Sequence, residues 1–493
     1  PNGILFGAGA QVNVGSLVAS TLDINDAALG SSTRNFSGMG SGSIVNQGSI
    51  NSANGGYVAF LGKQVSNQGS IATTAGTTAL AAGSDVTLSF AGNNLVSLRV
   101  NQSTLDSLSG NGGLIQADGG TVLLSAGARD AVLASVVNNT GIIQARSVQN
   151  VNGTIVLEAG SHGTATNSGT LDASGRSAGE TGGTVKLLGG TVAQTSGGRI
   201  DVTGDAGGGT AYVGGNFLGA GPEQNATSTT VATGSSIDAS AISNGDGGRV
   251  ALWSDGTTRF DGSIAARGGA WSGNGGAVET SGVKLKIGST ASVNTLAPRG
   301  SAGNWLLDPS DIKIGSIAFW GSNYGIDVDS AVLTAALNNG NVTIKTSRAG
   351  PSCGVTCGSG SGSSGDILVL DPIGVAVASY DANHTATYVN WDSNSYTLTL
   401  SAYNNVRFVF TANYVSVGAG TSQASGGAVD MSLGHGTKVV LPAAGWQINQ
   451  LKKEFMPERV IFGHNTLYFA YEQGSALQKA FVMDYMDRYK EVP

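Results

Sequence analysis

The chain has 493 residues, of which 78 are glycine, and only 12% of its residues are charged and 6% aromatic. Glycine is about twice as frequent as the ~7% usual in globular proteins, yet there is no Gly-X-Y triplet period and proline is scarce, which excludes collagen. The net charge of −7 and the lack of any apolar run near ~18 residues predict neither a nucleic-acid partner nor a transmembrane segment.

The first internal repeat is literal. Residues 46–50 read Asn-Gln-Gly-Ser-Ile, and the same five residues recur at positions 67–71. A looser unit follows, in which an aliphatic residue precedes two smaller or polar residues at intervals of 27 to 37 residues. Its copies are Ile115-Gln116-Ala117, Ile143-Gln144-Ala145, Leu171-Asp172-Ala173, Ile200-Asp201-Val202, Ile237-Asp238-Ala239 and Ile264-Ala265-Ala266. Self-similarity at this period predicts a solenoid.

The residues within the repeats favour β-strands over helices. Segments such as 184–188 and 396–400 alternate β-branched or apolar residues with polar ones, which is typical of strands. Gly, Asn, Asp and Ser between them supply the backbone conformations of sharp corners. We therefore predict an all-β fold, a right-handed parallel β-helix whose turns stack ~4.8 Å apart. Ala173, Val202 and Ala239 suit its narrow core.

Two later segments depart from this pattern. Residues 323–345 are expected to contain a short helix that includes Ala331 and Leu337 and ends at Asn338-Asn339-Gly340. After about residue 440 the composition changes, and Ser475 with Gln478 forms a capping box that opens a helix to about Tyr489. We predict a short non-solenoid C-terminal segment here, acting as a cap on the last turn; a partner-contacting tail and the stub of a further domain are the alternatives.

Few residues suggest chemistry. Asp172, Asp201 and Asp238 occupy one repeat position, where stacked carboxylates repel each other, so we expect an outward-facing solvated ladder. Calcium bridging by these three is a weaker possibility and catalysis the least favoured. The sequence otherwise predicts no metal, no cofactor and no catalytic residue. Three tryptophans are candidate carbohydrate contacts: Trp253, Trp271 and Trp305.

Several stretches of the sequence resemble a known family. The opening Pro1-Asn2-Gly3-Ile4-Leu5-Phe6 resembles the Asn-Pro-Asn-Gly-Ile motif in the secretion domain of filamentous-haemagglutinin-like two-partner secretion exoproteins. Residues 247–255, 303–309, 340–344 and 398–405 resemble the β-helical shaft of the same family. The likeness covers roughly residues 1–430, and Pro1, Asn2, Gly3 and Ile4 would form the secretion motif. A chain that opens at Pro1 is expected to have lost its natural start.

The resemblance implies a secreted adhesin, extracellular or on the bacterial cell surface, exported through an outer-membrane partner transporter. It would attach to a glycan or protein receptor on host cells, on matrix polysaccharide or on other bacteria, and it would not be an enzyme. The alternatives are a β-helix polysaccharide-degrading enzyme, or the stalk of a haem-carrier-binding or contact-dependent toxin exoprotein.

The resemblance and the repeats together suggest four segments. Residues 1–110 would be the C-terminal part of a two-partner secretion domain, and 111–300 a shaft with ~28-residue repeats. Residues 301–440 would continue the β-helix with the short helix and a cysteine loop, and 441–493 would be the cap or tail. Cys353 and Cys357 are the only cysteines, and a secreted chain meets oxidant, so we predict a local disulfide, with two free thiols as the alternative.

Overall fold

A computed structural model of the protein describes residues 2–38, 41–104, 106–127, 135–149, 151–315 and 325–346. It also describes 365, 367–369, 375–380, 386–390, 396, 398–402, 406–408, 415–417, 429–433, 439–441, 446–448 and 460–462. The chain divides into two compact units. The first comprises Pro1–Glu279 and Asn294–Gly303, and the second Thr280–Val293 and Asn304–Pro493.

The part of the chain up to residue 303 is built from short strands. They are β1 (Ile4–Phe6), β2 (Gln11–Val14), β3 (Leu17–Ser20), β4 (Asp23–Ile24), β5 (Thr33–Ser37), β6 (Ser43–Asn46), β7 (Ser49–Ser52), β8 (Tyr57–Gly62), β9 (Gln64–Asn67), β10 (Ser70–Ala72), β11 (Thr77–Ala82), β12 (Asp85–Ala91), β13 (Asn94–Gln102), β14 (Ser107–Asn111), β15 (Leu114–Gln116), β16 (Thr121–Ser125), β17 (Ser135–Asn139), β18 (Ile142–Gln144), β19 (Thr154–Glu158), β20 (Thr164–Asn167), β21 (Thr170–Asp172), β22 (Thr184–Leu188), β23 (Thr191–Gln194), β24 (Arg199–Asp201), β25 (Thr210–Val213), β26 (Ser228–Val231), β27 (Ser236–Asp238), β28 (Arg249–Phe260), β29 (Ser263–Ala265), β30 (Ala277–Ile287) and β31 (Ser292–Asn294).

The strands of the first unit stack into three parallel faces. The first face runs β1-β6-β9-β14-β17-β20-β23-β26-β28, the second β2-β7-β10-β15-β18-β21-β24-β27-β29, and the third β3-β8-β11-β16-β19-β22-β25-β28. Each turn of chain contributes one strand to each face and pairs in parallel with the next turn. The predicted parallel β-helix is confirmed.

The core follows from the alternation of side chains along each strand. Ile115, Ile143 and Leu171 are in register on the second face, and all three are fully buried. The predicted inward residues Ala173 and Val202 are fully buried as well. The looser repeat is therefore the corner at which one inward aliphatic residue and one inward small residue recur in every turn.

A column of buried asparagines lines the corner between the first and second faces. Its side chains belong to Asn46, Asn67, Asn111, Asn139 and Asn167, all nearly or fully inaccessible to solvent. The Nδ2 of each of the first four donates to the Oδ1 of the next asparagine at 2.8 or 2.9 Å. A glycine follows two residues later in each turn; at Gly141 a Cβ would lie 2.2 Å from the carbonyl oxygen of Gly113. The repeated Asn-Gln-Gly-Ser-Ile is one form of this corner.

An antiparallel sheet, ordered β13-β12-β5-β4, packs on the third face of the first unit. Val86 and Leu88 from β12 join Phe36 from β5 in one apolar cluster with Leu61 and Ala79 of the β-helix. This sheet was not predicted from the sequence, because its strands lie between repeats and carry no repeat of their own.

In the part that the structure describes, the second unit contains mainly parallel strands and one helix. After β30 and β31 its strands are β32 (Asn304–Leu307), β33 (Ile312–Gly315), β34 (Val328–Asp329), β35 (Asn341–Lys345), β36 (Ile367–Val369), β37 (Val375–Tyr380), β38 (Ala386–Asn390), β39 (Leu398–Ala402), β40 (Val406–Phe408), β41 (Val415–Val417), β42 (Val429–Leu433), β43 (Val439–Leu441), β44 (Trp446–Ile448) and β45 (Val460–Phe462). Two parallel ladders run β32-β35-β39-β42 and β33-β36-β40-β43-β45. Strands β37 and β38 form an antiparallel pair.

The short helix predicted within residues 323–345 is confirmed as α1 (Ser330–Leu337). The Asp329 side chain caps it by accepting a hydrogen bond from the backbone N–H of Ala331 at 2.8 Å. Parallel pairing extends to Phe462, beyond residue 440, where the composition predicts that the solenoid ends. The predicted helix from Ser475 to about Tyr489, and the predicted Cys353–Cys357 disulfide, lie outside the described residues.

Candidate functional site

The residues of the predicted secretion motif begin the first strand of the β-helix. Asn2 is exposed and Ile4 is in register with Ile44 of β6, while Pro1 lies outside the described residues. Gly3 has φ +131°, and a Cβ on it would lie 3.0 Å from the carbonyl oxygen of Ser43. The glycine is therefore required by both the backbone conformation and the close approach of the next turn.

The repeated aspartates form a column on the second face, where Asp172, Asp201 and Asp238 are in register. The Asp172 side chain is only 8% exposed, and its Oδ2 accepts a hydrogen bond from Nε of Arg146 at 2.8 Å. Its Oδ1 accepts from the backbone N–H of Ser174 at 3.0 Å. The expectation of a fully solvated ladder is therefore wrong at Asp172, because an arginine and the backbone enclose its carboxylate.

The same arrangement recurs one turn later. The guanidinium of Arg176 pairs with the Asp201 carboxylate, which also accepts from the backbone N–H of Thr203 at 3.0 Å. The hydrogen bond that Arg176 donates to Asp201, followed by the charges of Asp201, Asp172 and Asp238, raises the pKa of Arg176. Arginines thus relieve the repulsion that is expected between stacked carboxylates. Among the described residues no group of three or more His, Cys, Asp or Glu side chains is arranged to hold a metal ion.

The three candidate tryptophans lie in different environments. The Trp305 side chain is 1% exposed, and its Nε1 donates to Oγ1 of Thr280 at 2.9 Å. Its predicted role as a carbohydrate contact is wrong, since the ring is buried in the second unit. Trp253 is half-buried, and its Nε1 donates to Oδ1 of Asp255 at 2.9 Å. Trp271 is 73% exposed.

Trp271 lies at the tip of a corner loop between the second and third faces. Its backbone N–H donates to the carbonyl of Ser243 at 2.8 Å, and the N–H of Ala270 donates to the carbonyl of Ile242 at 3.0 Å. The loop at residues 268–275 is thus stacked on the loop at 241–247 of the preceding turn. The exposed indole of Trp271 is consequently attached to a backbone that hydrogen bonds to the loop of the preceding turn hold in place.

A second loop, residues 214–227, is inserted between β25 and β26 and accounts for the long 37-residue interval between Ile200 and Ile237. Phe217 packs edge-on against Tyr212, with ring centroids 6.4 Å apart, and the guanidinium carbon of Arg249 lies 4.5 Å from the Phe217 ring centroid. The 37-residue interval is visible in the sequence, but the interval alone does not show which of its residues form the inserted loop.

Glu223 anchors the inserted loop to the third face. Its Oε1 accepts a hydrogen bond from Nζ of Lys186 at 2.8 Å, and its Oε2 accepts from Asn216 at 2.7 Å. Burial raises the pKa of this carboxyl, but the hydrogen bonds from Lys186, Asn216 and the backbone, together with the positive charge of Lys186, outweigh burial, so the pKa lies below its usual value.

Comparison with known proteins gives a consistent result. Residues 1–173 match the TPS secretion domain family. The crystal structure of the HMW1 secretion domain from Haemophilus influenzae is 32% identical in sequence to this chain, with a TM-score of 0.53; the match covers 62% of this chain and 78% of that chain. The chain belongs to the two-partner secretion exoproteins of the filamentous-haemagglutinin type. No curated protein matches the exoprotein.

This membership confirms the family resemblance and brings a partner with it. Two-partner secretion exoproteins are exported through the outer membrane by a dedicated partner transporter, as the resemblance implied. The family match includes Gly3 and the strand β1 that begins at Ile4, and it continues through β21 to residue 173. Among the described residues of the exoprotein, no helix is long and apolar enough to cross a membrane.

Proposed function

We propose that this exoprotein is a non-enzymatic adhesin, secreted to the cell exterior or surface, that attaches to a glycan or protein receptor on host cells, matrix or neighbouring bacteria. The observation that supports this function most is the repetition of hydroxyl groups on two faces. On the third face Thr121, Thr154, Thr184 and Thr210 are in register and only half-buried. On the first face the row is Thr164, Thr191, Ser228 and Thr257.

Such rows suit attachment to a repetitive partner. Adjacent members lie one strand spacing apart, about 4.8 Å, so a ligand lying along the rows meets the same donor and acceptor pattern at each turn. Each hydroxyl contact is weak, but several contacts to one long ligand act together and raise its overall affinity.

The arrangement of carboxylates supports a binding role over catalysis. Hydrolysis or elimination on a polysaccharide needs an acid and a base in unlike environments on either side of the scissile bond. Asp172 and Asp201 instead occupy equivalent positions, and each is paired with an arginine of the preceding turn, which lies two residues after Gln144 in one case and four residues after Asp172 in the other. The enzyme alternative therefore has no structural support in this column.

A bead-attachment assay tests the adhesin function. Beads coated with the purified exoprotein are incubated with host cells, extracted matrix polysaccharide or bacteria, and beads coated with the heat-denatured chain serve as the control. We expect retention of the native-coated beads on at least one of these surfaces. Equal retention of native and denatured coats on all three surfaces would contradict the proposal.

A further inference from the structure

We propose that Trp271 and the polar tips of the loops stacked beside it form a binding site for a neutral glycan, the sugar ring lying on the exposed face of the indole. The proposal rests on the adhesin function and assigns a specific place to receptor contact. It begins with exposure: at 73%, Trp271 is the most exposed of the large hydrophobic side chains in the described part of the chain. Tryptophan is enriched at interaction sites, because its ring combines a large apolar area with a hydrogen-bond donor.

The loop that carries Trp271 is held in one conformation. Besides the backbone hydrogen bonds of Ala270 and Trp271, the N–H of Gly269 donates to the carbonyl of Gly245 at 3.0 Å. On the other side of the tip, the N–H of Asn274 donates to Oδ1 of Asp246 at 2.7 Å. The binding surface therefore needs little ordering when a ligand arrives, and an indole adds only two side-chain torsions.

Close packing of successive turns also fixes the loop. Gly273 has φ +110°, and a Cβ on it would lie 1.9 Å from the carbonyl oxygen of Gly245. No other residue fits this position without displacing the loop below it. Gly273 thus allows the loop that carries Trp271 to pack closely on the loop of the preceding turn.

Groups suited to sugar hydroxyls surround the indole. Ser272 follows Trp271 directly, and its Oγ donates to Oδ1 of Asn244 in the neighbouring loop at 3.2 Å. Asn244, Asp246 and Asn274 are all exposed. Side-chain amides can donate hydrogen bonds to vicinal hydroxyls and accept hydrogen bonds from them, and carboxylates can accept, while the flat apolar face of a pyranose covers the indole.

The charges nearby favour a neutral glycan over an anionic one. Asp205, in the loop before that of Asn244, is hydrogen-bonded first by the Ser243 side chain and then by the backbone N–H of Gly179, which lower the pKa of its carboxyl. The low pKa keeps Asp205 negatively charged at neutral pH, and Asp246 adds a second acidic side chain to these loops. Exposed Arg267 offsets part of this negative charge, so a uronate or sialic acid gains no net attraction.

A glycan array probed with the full chain and with W271A tests the site, and isothermal titration then quantifies the hits. We expect wild type to bind a set of neutral glycans, W271A to lose at least about tenfold in affinity, or about 1.4 kcal/mol, and W271F to recover part of the loss. Val96→Ala, which truncates another exposed apolar side chain, should bind as wild type does.

Several outcomes overturn the site. Equal glycan binding by wild type and W271A would remove Trp271 from the receptor contact, and exclusive binding of anionic glycans would contradict the charge argument. Loss of self-association in W271A, measured by sedimentation without any glycan, would assign the indole to a second copy of the chain. Bead attachment that persists in W271A would leave the adhesin function intact while locating the receptor site elsewhere. Because the ring is exposed, the thermal midpoint of W271A should equal that of wild type, which separates loss of binding from loss of fold.

Discussion

Asn67 lies directly beside Asn111 in the buried column, and its Nδ2 donates to Oδ1 of Asn111 at 2.8 Å although 44 residues separate them in the chain. The same Nδ2 also donates to the backbone carbonyl of Leu114 at 3.1 Å. Every amide in the column after the first is thus donor to one turn and acceptor from another. Strands β12 and β13 are inserted between these two turns without disturbing the contact.

Replacing a column asparagine should destabilise the β-helix. Asn139→Ala removes the donor to Asn167 and leaves Oδ1 of that side chain buried without its partner, at a cost of about 1–3 kcal/mol. Asn138→Ala is the matched control, since Asn138 is the outward neighbour on the same strand and is only half-buried. Urea unfolding should show a lower midpoint for Asn139→Ala, and equal midpoints for the two variants would contradict the column's role.

The corner glycines should not tolerate a methyl group. In Gly141→Ala the new Cβ would lie 2.2 Å from the carbonyl oxygen of Gly113, so the two turns must separate, with a cost of at least about 1–3 kcal/mol. Gly9→Ala is the control, because nothing lies within 4 Å of its added Cβ. We expect a clear fall in thermal midpoint for the first variant and almost none for the second. A neutral Gly141→Ala would show that the turns stack less tightly than this close approach implies.

Arginine, and not calcium, should stabilise the aspartate column. Arg146→Ala leaves the carboxylate of Asp172 enclosed without its counter-ion, so the thermal midpoint should fall. Arg199→Ala, at an exposed position on β24, serves as the control. Neither added calcium nor a chelator should move the midpoint of the wild type. A calcium-induced increase in wild-type stability would instead support the cation bridge.

The anchor of the inserted loop should depend on pH. Because the pKa of Glu223 is lower in the folded chain than in the unfolded chain, its ionised form adds stability above the unfolded value, near ~4.3, and this contribution is lost as the pH falls through the folded value. Glu223→Gln should therefore be less stable than wild type at about pH 7, and the difference should shrink on acidification below about pH 4. Thermal midpoints of both proteins across this pH range measure the difference in stability. A difference that stays constant with pH would contradict the role of the ionised Glu223 carboxylate as the anchor of the loop.

The features that repeat were predictable from the amino-acid sequence alone. Residues such as Ile143 and Ala173 recur at a fixed place in each turn, so the repeat period is enough to infer their burial and the parallel β-helix. The helix α1 was predicted because its apolar spacing and its ending at Asn338 are local signals.

Features that depend on contacts between turns were not predictable in the same way. The pairing of Arg146 with Asp172 joins residues 26 positions apart, and nothing local to either residue announces it. The asparagine column did carry a signal, since an asparagine and a glycine two residues later recur before the aliphatic residue in five turns. Recognising that these asparagines form a hydrogen-bonded column required the register of the strands in successive turns. Burial of Trp305 and exposure of Trp271 likewise depend on which side of a turn each residue faces.

The central claim, that the exoprotein adheres without cleaving its receptor, is tested most directly by measuring both events on one surface. The purified chain is incubated with the polysaccharide or cell surface that retains it, and bound protein and newly released reducing ends are quantified together. We predict saturable binding with no increase in reducing ends over a protein-free control. Release of reducing ends that is abolished by the triple change Asp172→Asn, Asp201→Asn and Asp238→Asn would contradict the account and identify an enzyme.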